Sequence, residues 1–126
     1  MKEKIYYNKL VRDKIPQRIE KSGGKYAVNV LNDDDFKKAL LSKVGEEASG
    51  LEQAKDKGEV ISELGDILDV IDVIKKTFKI SPKELSDSRK KEFKRKGGFK
   101  KRLFLLWAED TGLRLMKGKE NESSDS

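Results

Sequence analysis

KVGEEASGLEQAKDKGEVISELGD, Lys43–Asp66, decides how this chain folds. Its first half continues a helical pattern. An ideal helix turns about 100° per residue, and on that wheel Leu40, Val44, Glu47 and Leu51 fall within about 60° of one another. An acid therefore stands in an apolar stripe. Glu46 points away from the stripe and reads as solvent-facing. Lys57-Gly58 interrupts the pattern. After it, Val60, Leu64, Ile67, Leu68, Ile71, Ile74 and Phe78 recur at helical spacing. Two long helices follow, from about Asp34 to Lys57 and from Glu59 to about Lys79. A short connection makes them antiparallel neighbours.

Folding them back about residue 57 sets Glu47 level with residue 67 and Gly50 with residue 64. Glu63 and Asp66 are three apart, so both project from one side of the second helix. Glu47, Glu63 and Asp66 then converge at a partly buried seam. Three unpaired anions there would repel, and burying even one alone costs several kcal/mol. Two compensations are open. One is a divalent cation with oxygen ligands. The other is salt bridging to nearby Lys or Arg, or a raised pKa on one carboxylate.

Composition narrows the chemistry. The 126 residues suit one domain, expected over 1–116, with the polar stretch 117–126 as a disordered tail. Cysteine and histidine are both absent, which removes disulfides, thiolate metal sites, His-based triads and His-ligated zinc. A metal here must bind oxygen, which favours Mg²⁺, Mn²⁺ or Ca²⁺. No apolar run is long enough to span a bilayer, and the N-terminus has no signal-peptide pattern. A cytoplasmic protein with no membrane partner is expected. The net charge is +6, yet RKKEFKRKGGFKKR, residues 89–102, carries +8 by itself.

The flanking segments are shorter. Pro16 suits the first turn of a helix from about Asp13 or Lys14 to Lys21, stopped by Ser22-Gly23-Gly24. Tyr26–Leu31 is a brief β-rich run. Asn32-Asp33-Asp34 offers an N-cap. Ser81-Pro82-Lys83-Glu84 is a capping box that opens a helix to about Lys96, closed by Gly97-Gly98. Leu103–Trp107 is apolar and of strand length. It could pair with Tyr26–Leu31 in a small sheet, or serve as core or subunit interface. The fold expected is mainly α: an antiparallel helical bundle with a small accessory β element.

These residues resemble a known group. Tyr7-Asn8-Lys9-Leu10-Val11-Arg12-Asp13-Lys14-Ile15-Pro16 matches the YNKLVRDKIP-type opening of a small branch of the all-α nucleoside triphosphate pyrophosphohydrolases, the MazG and phosphoribosyl-ATP pyrophosphohydrolase-like superfamily. The likeness continues through Glu46-Glu47, Glu63-x-x-Asp66 and Gly97-Gly98-Phe99, over about residues 6–106. It implies an all-α pyrophosphatase-like bundle. It also implies a hydrolase that converts a nucleoside triphosphate to monophosphate and pyrophosphate, with Mg²⁺ on an ExxE and an ExxD motif. Glu47 matches the first Glu, and Glu63 and Asp66 match the second motif. These three are the expected catalytic and metal-binding residues. Gly50 stands where the family has Glu, so one ligand is missing.

Lys9, Arg12 and Lys14 are the first candidates to hold phosphate oxygens, with Lys96 and Arg102 behind them. Asn8 and Asp13 could read a base or sugar, or cap the helix. Capping is the preferred role for Asp13. Asp69 could accept a proton. Relatives oligomerise, so a homodimer packed across a two-fold axis is expected. Two other readings remain. One is a family member that binds nucleotide or a partner without turnover, to which Gly50 points. The other is a small basic nucleic-acid-binding protein, to which residues 89–102 point.

Overall fold

A computed structural model describes residues 2–113. The expected tail at 117–126 and the domain boundary at 116 lie outside the described residues. Four helices follow one another: α1 Ile15–Lys21, α2 Asp33–Glu52, α3 Lys57–Thr77 and α4 Pro82–Lys96. Two compact units divide between Asp87 and Ser88. The first holds α1 to α3 and the opening of α4. The second begins within α4. The mainly α architecture expected from the sequence is therefore present.

Each long helix starts on a side chain that satisfies an orphan backbone N–H. Asn32 accepts from the Asp35 N–H at 2.8 Å, and Asp56 accepts from the Glu59 N–H at 2.8 Å. Asp56 corrects the expected boundaries. α2 ends at Glu52, five residues before Lys57, and α3 begins at Lys57 with Gly58 inside its first turn. The glycine was read as the breaker, but the breaker is the aspartate two residues earlier. α3 closes with Lys79 at φ 55°, where the Ile80 N–H reaches the Lys75 carbonyl at 2.8 Å. The capping box of α4 is reciprocal: Glu84 N–H donates to Ser81 Oγ at 3.0 Å, and Ser81 N–H donates to Glu84 Oε1 at 3.2 Å.

Asp13 does not cap α1. The N-cap is Lys14, with no side-chain cap bond, and Pro16 sets the first turn. Proline lacks an N–H, so α1 has one orphan donor fewer to satisfy. The expected β element is not formed either. Among the described residues there is no strand, and both Tyr26–Leu31 and Leu103–Trp107 are irregular. A strand exists only where a second one completes its ladder, and propensity alone supplies none. No helix among the described residues is long and apolar enough to cross a membrane.

α2 and α3 form an antiparallel hairpin joined by Gln53–Asp56. Phe36 and Lys37 near the start of α2 share a cleft with Thr77 and Lys79 at the end of α3. Gly50 near the end of α2 meets Glu63 near the start of α3. Among the described residues the one hydrophobic side chain that is fully buried is Leu40, 2% exposed, on α2. Val60, Ile67, Ile71 and Ile74 of α3 are half-buried, while Ile61, Leu64 and Leu68 are exposed. The apolar stripe is thus only partly covered by its own hairpin.

This makes Leu40 the anchor of the first unit. Leu40→Ala should lower stability by about 2–4 kcal/mol, the range for a buried leucine whose site cannot collapse fully. Urea titration followed by circular dichroism would measure it. The same change at exposed Leu41 should cost under about 1 kcal/mol.

Candidate metal centre

Glu47, Glu63 and Asp66 come together in the half of the hairpin next to its turn. One carboxylate oxygen from each lies within 4.8 Å of the others, and all three residues are half-buried. The convergence follows from side-chain direction. Cβ atoms tilt towards a helix N-terminus, so Glu63 leans back towards the turn and reaches the level of Gly50. A Cβ at position 50 would stand 2.6 Å from Glu63 Oε2 and 2.9 Å from its carboxyl carbon. The Glu63 carboxylate thus uses the space that Gly50 leaves. The register expected from sequence holds, although the turn lies elsewhere.

Two cations partly offset this charge. Lys43, one helical turn before Glu47, places Nζ 3.6 Å from Glu47 Oε1, and both side chains are well covered at 13% and 16% exposure. Arg12 Nη2 donates to Asp66 Oδ1 and to Asp69 Oδ2, each at 2.9 Å. Among the described residues no cation lies within ion-pair distance of Glu63. Salt bridging therefore answers the repulsion at Glu47 and Asp66 but not at Glu63.

The segment before α1 lies across both helices of the hairpin. Lys9 Nζ donates to Glu46 Oε1 on α2 at 2.5 Å, and Arg12 holds α3. Lys9 also sits over the Tyr7 ring, 5.6 Å from its centroid. Between them, Asn8 has φ 47°, a left-handed backbone that asparagine tolerates better than most residues. Asn8, Lys9 and Leu10 face Ala39, Ser42, Lys43 and Glu46 across a cleft of about 160 Å³.

These pairs set the local electrostatics. The Lys9 hydrogen bond holds the Glu46 carboxyl below the usual carboxylate range; burial opposes this, and Lys43 reinforces it. The same bond to Glu46 raises the Lys9 ammonium. The hydrogen bond to Asp69 raises the Arg12 guanidinium, with Asp66 adding to it.

The other expected site residues are placed as follows. Asp13 and Lys14 are exposed at the start of α1. Lys96 pairs with Glu92 at 3.1 Å within α4, and Arg102 has φ 59°; both belong to the second unit. Glu46, read as a solvent-facing acid, is the anchor for Lys9. Asp69, considered as a proton acceptor, is held by Arg12. The Lys43–Glu47 pair was legible from i,i+4 spacing. The Arg12–Asp69 pair spans 57 positions and left no local signal.

The cluster fits a hard divalent cation. Oxygens on opposite sides of Mg²⁺ are about 4.2 Å apart, and on opposite sides of Ca²⁺ about 5 Å. A span within 4.8 Å suits such ions, and the oxygen-only donor set matches their preference. Comparison of the chain with protein-family models, with curated proteins and with solved structures found no match in any of the three.

Two predictions follow from this geometry. Gly50→Ala should favour the helix by up to about 1 kcal/mol yet push the Glu63 carboxylate aside. Cation affinity measured by calorimetry should fall about tenfold or more, while thermal stability holds or rises. The second concerns pH in the metal-free protein. Because Glu46 is lowered on folding, its contribution is complete above the ordinary carboxylate value and is lost as pH falls through its folded value. The stability that the Lys9–Glu46 pair contributes should therefore shrink on acidification, read as a fall in thermal unfolding temperature, and Lys9→Met should flatten that dependence.

Proposed function

We propose that this chain is a divalent-cation-dependent nucleoside triphosphate pyrophosphohydrolase, releasing nucleoside monophosphate and pyrophosphate, with Mg²⁺ or Mn²⁺ as the ion. One observation carries the reading. Glu47, Glu63 and Asp66 present three oxygens within 4.8 Å, while Lys9, Arg12 and Lys43 stand at the edge of the same cluster. Acids to hold a cation and bases to hold phosphate belong together in phosphoanhydride chemistry. The resemblance of the Tyr7–Pro16 opening to the pyrophosphohydrolase branch supports the same reading.

Glu47, Glu63 and Asp66 would hold the cation, which supplies charge neutralisation for the phosphates and orientation of the attacking water. Arg12 is already shared between two carboxylates and presents a planar donor fork, suited to a phosphate oxygen. Lys9 bridges Glu46 and the Asn8 cleft, so its ammonium can hold a phosphate while Asn8 faces base or sugar. The proton of the water goes to a carboxylate of the cluster. Asp69 is less suited, since Arg12 already occupies one of its oxygens at 2.9 Å. Lys14 adds positive charge beside Arg12 in sequence.

Gly50 does not by itself mark a decayed site. It gives Glu63 the room to turn inward, so the missing fourth carboxylate and the position of the third are one adaptation. The protein works as a homodimer, whose second copy covers Ile61, Leu64 and Leu68, the exposed row of α3.

Incubation with a panel of triphosphates and Mg²⁺ or Mn²⁺ should release pyrophosphate. Glu63→Gln should lower the rate about 100-fold or more, because it removes the one cluster acid without a cation partner among the described residues. Orthophosphate as the product, or full activity in Glu63→Gln, would reject the assignment. Nucleotide binding with no turnover would favour the binding-only alternative.

A further inference from the structure

Two segments of this chain have backbones that nothing among the described residues pairs. Residues 26–31 and 103–108 make no backbone hydrogen bond among the described residues. Their apolar side chains are open to solvent: Val28 is 56% exposed, Val30 100%, Phe104 87% and Trp107 79%. Unpaired N–H and C=O groups beside bare apolar side chains are what a sheet edge presents to a partner. Tyr26, Val28 and Val30 alternate with period two. Leu103–Trp107 is apolar at every position, the pattern of a strand covered on both faces. Neither segment contains proline, so each can donate along its whole length.

Charge fixes the direction. Asp33, Asp34 and Asp35 follow the first segment, and Lys100, Lys101 and Arg102 precede the second. All six are exposed, and none has an ion-pair partner among the described residues. Antiparallel pairing brings the three acids and the three bases to the same end. Parallel pairing would set the acids beside Glu109 and Asp110, which is repulsive. With Leu31 opposite Leu103, Val30 meets Phe104 and Val28 meets Leu106 on one face. Ala27 meets Trp107 on the other.

We propose that residues 103–108 of one copy pair antiparallel with residues 26–31 of a second copy, so that two chains exchange strands in a symmetric dimer. The occupant is another copy of this chain because the two edges complement each other in length, apolarity and charge. A lipid surface would suit the basic run and Trp107, but it would leave the backbone groups of 103–108 unpaired in an apolar layer. The exchange makes two identical ladders per dimer, and Phe104 and Trp107 would each bury about 150–250 Å². It does not depend on the metal cluster or on nucleotide turnover. It is also distinct from packing of α3 faces, which needs no strand.

The chain has no cysteine and a single tryptophan, Trp107, so both tests are clean. The single variants Val30→Cys and Phe104→Cys, both at exposed positions, are mixed and oxidised. A covalent dimer containing one of each variant should dominate, with several-fold less from either variant alone. In the unmodified protein, Trp107 emission should shift to the blue with rising concentration, in step with mass doubling in light scattering. Lys100→Glu with Lys101→Glu and Arg102→Glu should raise the dimer dissociation constant about tenfold or more at low salt. Blue emission at every concentration, in a monomer, would mean pairing within one chain and overturn the exchange. So would mass doubling that leaves Trp107 emission unchanged, since the dimer would then use another face. A shift seen only with vesicles of anionic phospholipid would assign the segment to membranes and reject it equally.

Discussion

Electrostatic repulsion at one seam governs this structure. The α2–α3 hairpin closes only if Glu47, Glu63 and Asp66 tolerate one another at half-buried positions, where like charges repel more than in bulk water. Lys43 answers for Glu47 from within α2, at 3.6 Å. Arg12 answers for Asp66 from outside the hairpin, at 2.9 Å. The segment before α1 is therefore part of the solution to the charge problem. It neutralises what the two helices cannot, and Lys9 on Glu46 holds it in place. Removing the three acids would relieve the repulsion but take from Arg12 one of its two partners on α3, Asp66, leaving Asp69. Fold and site are two aspects of one charge balance.

The balance is incomplete at Glu63. Its carboxylate turns into the space over Gly50 and finds no cation among the described residues. A glycine in the middle of a helix gives up roughly 1 kcal/mol against alanine, so its position calls for a physical reason. Room for a carboxylate is such a reason. A structural salt-bridge network would place a lysine or arginine there instead, as it does at Glu47 and Asp66. The unanswered anion, facing two that are only half answered, is what a divalent ion would complete.

The sequence disclosed the parts of this arrangement that depend on spacing. Period 3.6 located α2 and α3, and an acid inside the apolar stripe pointed to Glu47. A three-residue step put Glu63 and Asp66 on one side. Ser81 and Glu84 announced the start of α4, and both predicted hydrogen bonds form. What failed was local punctuation. Gly58 was taken as the breaker because glycine is a poor helix former. Asp56, with an accepting carboxylate three residues before a free N–H, was the stronger signal. Asp13 was read as a cap, but Pro16 had already removed part of the need. The contacts of Lys9 and Arg12 are tertiary. They join residues 37 to 57 positions apart, and nothing in a short window of sequence encodes them.

The strand-like segments show the limit of propensity from another side. Tyr26–Leu31 and Leu103–Trp107 have the composition of strands and form none among the described residues, because a strand is a property of a pair. The helices show a milder form of the same insufficiency. A hairpin that fully buries Leu40 but leaves Ile61, Leu64 and Leu68 in water has covered one side of its stripe. Burial is worth about 25 cal/mol per Å² of apolar surface, so three exposed aliphatic side chains and a bare aromatic segment form a substantial unspent driving force. Exposed apolar patches of this size are the kind of surface that interaction sites use. The charge that closes the hairpin is internal, whereas the apolar surface that the hairpin leaves faces outward.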